Sequence, residues 1–179
     1  GIRGDCGPGT VDRPNKMMRY PLVADPFPQA DLDALADWLR GGPRLSMGSL
    51  CRRFEEEFAA WLGRRHAIFV NSGSSANLLM WAAAKHLRKG RWVTAPAAAW
   101  STTVSPAMQL GFQVELHDVD ADTWGLHGRQ AFGIAVHMLG VPCAAWGFPS
   151  DGYLEDACAA LGSVHHDGPR VGTRGWLSS

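Results

Sequence analysis

The sequence lacks an excess of charge of either sign and lacks long apolar runs. Its 179 residues include 17 basic and 17 acidic side chains, so it has no electrostatic footprint for nucleic acid or for an anionic membrane surface. No apolar run is long enough to cross a bilayer, and the first sixteen residues contain no hydrophobic core of a signal peptide. These absences predict a cytoplasmic protein that binds neither nucleic acid nor membranes.

Several motifs of common enzyme classes are also missing. There is no GxGxxG, no GxxxxGK followed by Ser or Thr, and no GxSxG, which argues against a Rossmann dinucleotide site, a P-loop and a serine hydrolase. The four cysteines are far apart in the sequence and form no CxxC pair, which favours free thiols in a reducing compartment. His165 and His166 are adjacent and cannot both face one ion on a regular element, so we expect no metal site.

The apolar pattern alternates between helices and short strands. Helices are predicted for "QADLDALADWLRGG", "SLCRRFEEEFAAWLG", "SANLLMWAAAKHL" and "STTVSPAMQLG". Strands are predicted near residues 67–71, 91–95, 112–118, 132–138 and 152–156. Short apolar strands separated by helices indicate an α/β fold with a mostly parallel sheet and helices on both faces.

Two features limit this fold. The last two connections between predicted strands have only about a dozen residues each, near the minimum for a parallel crossover that carries a helix. The N-terminus is rich in glycine and proline and lacks apolar periodicity. We therefore predict a disordered leader over residues 1–18 and one domain over residues 19–179.

The turn "NSGSSANLL" follows the first predicted strand and begins a helix. In a parallel α/β sheet, ligands bind at the carboxyl ends of the strands, where a helix N-terminus offers free N–H groups to an anion. Gly73 allows close approach of the backbone, and Ser74 and Ser75 supply hydroxyl groups. The pattern is compatible with a phosphate site, and equally with Ser74 serving only as the N-cap of the helix.

Two further side chains follow later strands on the same predicted edge of the sheet. Trp100 comes just after the second strand, where an aromatic ring can stack on a planar group; the alternative is an ordinary core tryptophan. Asp156 ends the last strand and can pair with a protonated ring nitrogen, as in sites for pyridoxal 5'-phosphate (PLP). Its alternative role is to cap a helix over "ACAAL". Phosphate turn, aromatic ring and aspartate together fit one cofactor.

These stretches, with "GGPRLSMGSL", "VHMLG" and "YLEDACAALGS…VGTRG", resemble in order the DegT/DnrJ/EryC1/StrS family of PLP-dependent sugar aminotransferases and dehydrases. The resemblance implies the aspartate-aminotransferase fold, of which this chain would be a partial large domain. The form "SGSSANLL" is most similar to the branch that contains the sugar 3-dehydrases. An N-terminal portion of such an enzyme is the function that the resemblance implies, in deoxysugar, amino-sugar or surface-polysaccharide biosynthesis.

The resemblance also implies a role for each site residue. Gly73, Ser74 and Ser75 would bind the phosphate of PLP or of its amine form (PMP), Trp100 would stack on the ring, and Asp156 would keep the ring nitrogen protonated. The implied partners are a nucleotide-linked keto-sugar, an amino donor and a second copy of the chain in a homodimer.

The chain also departs from the family pattern. The position three residues after Asp156, usually Gln or Asp, is Ala159. The segment with the family's Schiff-base lysine (histidine in the dehydrase branch) and the small C-terminal domain would follow residue 179, so no catalytic residue is assigned. We therefore expect weak cofactor binding and no transamination by this chain alone. The alternative is a non-catalytic remnant that binds a partner subunit or a nucleotide-sugar without turnover.

Overall fold

A computed structural model describes residues 27–88, 90–126, 130–144, 147–149 and 152–179. The chain divides into two compact units, Gly1–Ser46 and Met47–Ser179. The leader predicted over residues 1–18 lies outside the described residues, and both it and the single domain over residues 19–179 stay predictions.

In the part of the first unit that the structure describes, residues 27–46, one helix, α1, spans Gln29–Arg40 as the sequence predicts. The helix begins directly after Pro28, whose ring fixes a φ compatible with helix entry, and Asp31 in its first turn and Arg40 in its last turn complement the helix dipole. Its apolar face is exposed within this unit: Leu32, Leu35 and Leu39 each expose close to half of their surface.

The second unit alternates helices and strands. Its helices are α2 (Ser49–Leu62), α3 (Gly73–Leu87), α4 (Ser101–Gln109) and a 3-10 turn at Met138–Gly140. Its strands are β1 (Trp92–Pro96), β2 (Gln113–His117), β3 (Ile134–Val136), β4 (Leu154–Asp156) and β5 (Leu177–Ser178). In the described part of the chain, neither the connection from β2 to β3 nor that from β3 to β4 contains an α-helix, as their short lengths lead us to expect.

The three strand pairs in the described residues are parallel. β1 pairs with β2, and β4 lies between β3 and β5. The two groups meet at a parallel bridge between Thr94 and Gly133, where the Thr94 N–H donates to the carbonyl of Phe132 at 3.0 Å. The spatial order is therefore β2-β1-β3-β4-β5, and the predicted α/β fold with a parallel sheet is confirmed.

The strand predicted over residues 67–71 is wrong. Residues 67–70 lie in no helix or strand and pair with no strand that the structure describes, and Ile68 is 76% exposed. The N–H of Phe69 donates to the Glu55 side chain at 2.8 Å. An apolar run becomes a strand only where another backbone satisfies its polar groups, and a side chain of α2 takes that place here. Strand β5, in contrast, was not among the predicted strands.

The main core lies between the sheet and the two helices α3 and α4. Trp81 of α3 is fully buried, and its Nε1–H donates to the carbonyl of Thr103 in α4 at 2.9 Å. Ile134 and Leu154 point from adjacent strands into the same core and are also fully buried. Trp81 and its hydrogen bond therefore join α3 to α4 within this core.

The opposite face of the sheet is covered by connecting segments. Since side chains alternate along a strand, Ala135 and Tyr153, the neighbours of Ile134 and Leu154, contribute to a second cluster. Its other members are Cys143, Trp124 and Phe148, none of which lies in a described helix. The short connections leave loop residues to cover this face.

We expect Gly133→Ala to lower the free energy of unfolding by about 2 kcal/mol or more, because extra atoms in a packed site force backbone shifts. A Cβ at Gly133 would collide with the backbone carbonyl of Thr94 at the bridge between β1 and β3. Gly90→Ala is the matched control, since a Cβ there meets nothing within 4 Å. Urea denaturation measures both changes, and equal midpoints for the two variants would contradict this account of the bridge.

Candidate functional site

The candidate site lies at the carboxyl ends of β1 and β4, where three elements meet. β1 leads into α4, β4 ends at Asp156, and the N-terminus of α3 is joined to that of α4 by a 2.7 Å hydrogen bond between the hydroxyls of Ser74 and Thr102. The predicted turn, aromatic residue and aspartate therefore follow or adjoin one edge of the sheet, as parallel strands require.

The α3 turn leaves backbone donors free. Ser72 is the N-cap, and its Oγ accepts the N–H of Ser75 at 3.2 Å. The Ser75 hydroxyl donates to Asn71 Oδ1 at 2.7 Å. The alternative that Ser74 merely caps the helix is therefore wrong, because Ser74 lies inside its first turn. N–H groups at that position have no intrahelical acceptor and can bind an anion.

Gly73 marks a close approach between α3 and the end of β4. A Cβ at this position would collide with Sγ of Cys158, two residues after Asp156. Glycine therefore lets the helix N-terminus lie against the segment that carries the aspartate. The glycine in the sequence indicates that some group approaches closely at this position. The sequence does not show that this group is Cys158.

Asp156 is 7% exposed and accepts three hydrogen bonds. Its Oδ2 accepts from Thr103 Oγ1 at 2.7 Å and from Asn77 Nδ2 at 2.9 Å, and its Oδ1 accepts the N–H of Cys158 at 3.3 Å. Residues 157–179 contain no helix, so the carboxylate does not cap one, although it does close a turn. Donors from two helices instead hold this side chain in place.

Trp100 is 74% exposed at the start of α4. The core-tryptophan alternative is therefore wrong: the ring packs into no core and is available to a ligand. It precedes Thr102, which contacts Ser74, by two residues.

Sequence reasoning missed Asn77, Thr102 and Thr103. Asn77 is 3% exposed and Thr103 is 1% exposed. A signal for Asn77 was present, because a lone polar residue in the apolar run "ANLLMWAAA" must be exposed or hydrogen-bonded inside the protein. Its partner, 79 residues further along the chain, could be identified only from the fold.

A second buried carboxylate, Glu155, precedes Asp156 and contacts different residues. Its Oε2 accepts the N–H groups of Gly175 at 2.7 Å and Arg174 at 2.9 Å, while Oε1 lies 3.3 Å from His137 Nε2. Burial by itself raises the pKa of Glu155, but the hydrogen bonds from His137 and the Gly175 amide outweigh it and lower the pKa below its usual value.

His137, Glu155 and His165 place three potential metal-ligand atoms within 4.8 Å of one another. However, Nδ1 of His137 accepts the N–H of Cys143 at 3.0 Å, so in the neutral ring Nε2 carries the proton and donates to Glu155. A metal would need the lone pair of that same nitrogen. The cluster is better explained as a hydrogen-bonded support for the last residues of the chain, and the absence of a metal site stays a prediction.

His165 should make stability sensitive to mild acid. Burial, then the positive Arg174 and the nearby His137, lower the pKa of His165 below its ordinary 6.5. In the unfolded chain, the imidazole of His165 binds a proton as pH falls through 6.5. In the folded chain it binds a proton only at a lower pH, so the free energy of unfolding decreases as pH falls below 6.5. We expect His165→Asn to flatten the fall in the free energy of unfolding between about pH 7 and pH 5.

The adjacent, exposed His166 provides the matched control. His166→Asn should retain the wild-type pH dependence in the same urea titrations. If His165→Asn retains it as well, the buried ring is not the group that makes the folded state acid-sensitive.

Several known proteins resemble this chain in sequence. GDP-4-keto-6-deoxy-D-mannose 3-dehydratase of Yersinia pseudotuberculosis is 29% identical over 183 residues, which cover 91% of this chain and 46% of that protein. The enzyme of the same name from Escherichia coli O55:H7 is 36% identical over 112 residues, 60% of this chain and 29% of that protein. The dTDP-4-dehydro-2,6-dideoxy-D-glucose 3-dehydratase of Saccharopolyspora spinosa is 34% identical over 158 residues, 76% of this chain and 34% of that protein.

Solved structures show the same relationship. A variant of GDP-4-keto-6-deoxymannose-3-dehydratase (ColD) with bound GDP-perosamine is 28% identical, with a TM-score of 0.74 over 89% of this chain and 46% of that chain. The Escherichia coli enzyme with bound hydrated PLP is 29% identical, with a TM-score of 0.73 over 89% of this chain and 46% of that chain. The chain thus spans less than half the length of these three curated relatives.

No helix in the described part of the chain is long and apolar enough to cross a membrane. The sequence matches the DegT/DnrJ/EryC1/StrS aminotransferase family over residues 28–179, which is most of the chain and includes every element of the candidate site. The chain belongs to the DegT/DnrJ/EryC1/StrS aminotransferase family.

Proposed function

We propose that this chain is the N-terminal part of a PLP-dependent enzyme that acts on a nucleotide-linked keto-sugar in deoxysugar or polysaccharide biosynthesis. The observation that carries the proposal is the convergence of three features at one sheet edge: the open N-terminus of α3, the exposed Trp100 and the buried Asp156. These are the groups that can hold the phosphate, the face and the nitrogen of a pyridine ring.

The α3 turn is the proposed phosphate site. The N–H groups of the first turn, with the hydroxyls of Ser74 and Ser75, offer several donors to one anion, and the positive end of the helix dipole adds to them. Gly73 keeps this turn against the end of β4, so that an anion bound there lies near the segment carrying Asp156. The donor set fits a phosphate monoester.

Trp100 and Asp156 are the proposed ring contacts. The exposed indole can lie flat on the pyridine ring, and the carboxylate, held by Asn77 and Thr103, can accept a hydrogen bond from a protonated ring nitrogen. The bound cofactor, PLP or PMP, would supply an electron sink for a carbanion at the amino carbon. The contribution of this chain is to orient the ring and to keep its nitrogen protonated.

The dehydratase branch is the finer assignment that we favour. The relatives from Yersinia, Escherichia and Saccharopolyspora are 3-dehydratases of keto-sugars, and the proposed phosphate turn, "SGSSANLL", is most similar to that branch. An aminotransferase of the same substrate class is the second candidate, and the family's name supports it.

We further propose that this chain binds the cofactor without a covalent bond. Lys85, the lysine that the structure describes, lies in the last turn of α3 and donates to the carbonyl of Leu110. It is eleven residues from Ser74 along the helix, which corresponds to about 17 Å. A lysine at the far end of the helix cannot reach a ring held at the N-terminal end.

We expect the purified chain to bind PLP weakly, with affinity that depends on Ser74 and Asp156. Ser74→Ala should raise the Kd for PLP about three- to tenfold, the effect of one lost hydrogen bond, and Asp156→Asn by about tenfold or more. Absorbance titration with PLP measures both values. Borohydride reduction followed by peptide mapping should find no specifically labelled lysine, and no keto-sugar should be transaminated.

Ser49→Ala and Asp122→Asn are the matched controls. Ser49 is the first residue of α2, so it matches Ser74 as a serine in the first turn of a helix. Asp122 is an exposed aspartate in a connecting segment, away from the proposed site. Both should bind PLP like the wild type. One specifically reduced lysine with turnover would refute the non-covalent mode, and no saturable PLP binding at all would favour the alternative of a non-catalytic remnant.

Two copies of the chain should associate. Leu78 and Leu79 of α3, the helix that begins at the site, are 41% and 49% exposed, and apolar surface of this kind favours self-association. Light scattering across a concentration series should report a dimer or larger species. A monomer at high concentration would count against the homodimer.

The three described cysteines are free, in keeping with the proposed cytoplasmic location.

A further inference from the structure

A chain of hydrogen bonds extends from the last residue of the sequence to the carboxylate of Asp156. Ser179 Oγ lies 3.0 Å from Asn77 Oδ1, and Asn77 Nδ2 lies 2.9 Å from Asp156 Oδ2. We propose that Asn77 and Ser179 are positioning residues, which orient Asp156 toward the ring nitrogen of the cofactor. This inference rests on the proposed function, since it assigns a role in the same site.

The chemistry of the groups sets the direction of this chain. An ionised carboxylate only accepts hydrogen bonds, so the amide nitrogen of Asn77, and not its oxygen, must face Asp156. The amide oxygen then faces Ser179, whose hydroxyl must donate. Loss of that hydroxyl would leave the Asn77 oxygen without its partner and remove the preference for one orientation of the amide.

Thr103 makes the arrangement more rigid. Its Oγ1 donates to Asp156 Oδ2 and also lies 3.5 Å from Asn77 Nδ2, so the three side chains form a closed triangle. The carbonyl of Thr103 is held by Trp81 of α3. Both donors to Oδ2 are therefore fixed to each other and to the main core before any ligand is present.

Strand β5 places Ser179 beside this triangle. The N–H of Ser179 donates to the carbonyl of Glu155 at 3.0 Å, and the carbonyl of Ser179 accepts the N–H of Ala157 at 2.8 Å. These bonds extend the parallel pairing of β4 and β5 on both sides of Asp156. The register of this short strand thus decides whether a hydroxyl reaches Asn77.

As a consequence, the two carboxylate oxygens of Asp156 have different roles. Oδ2 accepts two side-chain donors at 2.7 and 2.9 Å, whereas Oδ1 accepts only the longer 3.3 Å bond from Cys158 within the described residues. A carboxylate oxygen can accept about two hydrogen bonds. Oδ1 therefore retains the capacity to accept a ring N–H, and the triangle at Oδ2 fixes its direction.

Ser179→Ala tests the far end of this chain. We expect the Kd for PLP in absorbance titrations to rise about three- to tenfold, the effect of one hydrogen bond. Because Asp156 would contact the protonated form of the ring nitrogen, the loss of affinity should be largest where that nitrogen is protonated in the complex, and should shrink as pH rises. Ser179→Thr retains a hydroxyl and should restore the wild-type affinity and pH profile.

Ser178→Ala is the matched control in the same strand. The Ser178 backbone pairs with Glu155, and its side chain is not part of the triangle; its PLP affinity should equal that of the wild type. A Ser179→Ala variant with wild-type affinity at every pH, or equal losses in the Ser178 and Ser179 variants, would overturn the positioning role.

Urea denaturation without PLP separates this inference from the proposed function. The midpoint shifts of Ser179→Ala and Asp156→Asn should not add, although no hydrogen bond joins these two side chains, and the non-additivity should vanish in an Asn77→Ala background. Non-additive midpoint shifts in a protein that does not bind PLP would refute the cofactor site but support the coupling of Ser179 to Asp156 through Asn77. Additive shifts together with PLP binding would refute the positioning role and keep the cofactor site.

Discussion

The structure depends on two adjacent buried carboxylates at the end of β4. Strand alternation sends the side chains of Glu155 and Asp156 to opposite faces of the sheet. Glu155 accepts backbone N–H groups of residues 174 and 175, while Asp156 accepts donors from α3 and α4. Two residues thus join the helices on one side and the final segment of the chain on the other.

Burial of these charges requires that donors be supplied. An ionised carboxylate removed from water without partners would cost several kcal/mol, and each of the two has at least three donors. Those donors come from segments far apart in sequence. The polar interactions therefore select one arrangement of α3, α4 and the last strand, where apolar packing alone would tolerate several.

The same arrangement explains why Glu155 has a structural role and Asp156 a binding role. Glu155, with His137 at 3.3 Å, holds protein groups only, and its buried position suits a structural role. Within the described residues, Oδ1 of Asp156 accepts only one long hydrogen bond, from the N–H of Cys158. It lies at the edge of the sheet where the N-terminus of α3 and the exposed indole of Trp100 are also found. An incomplete set of contacts at a strand end is what a binding site requires before its ligand arrives.

The sequence by itself determined the local elements. Apolar periodicity located the four α-helices that the structure describes, and four of the five predicted strands, because both patterns depend on near neighbours. The motif order identified the family, and Gly73, Ser74, Trp100 and Asp156 follow from strand and helix ends that local patterns reveal.

Only the tertiary structure decided which of these elements pair. Residues 67–71 have the composition of a strand but pair with no described strand, while the two-residue β5 forms because β4 is beside it. The partners of Asp156 could not be predicted either: Asn77, Thr103 and Ser179 are polar residues without local pattern, 79 and 53 residues before the aspartate and 23 after it. Hydrogen bonds between distant segments depend on the register of strands and the packing of helices, which are properties of the folded chain alone.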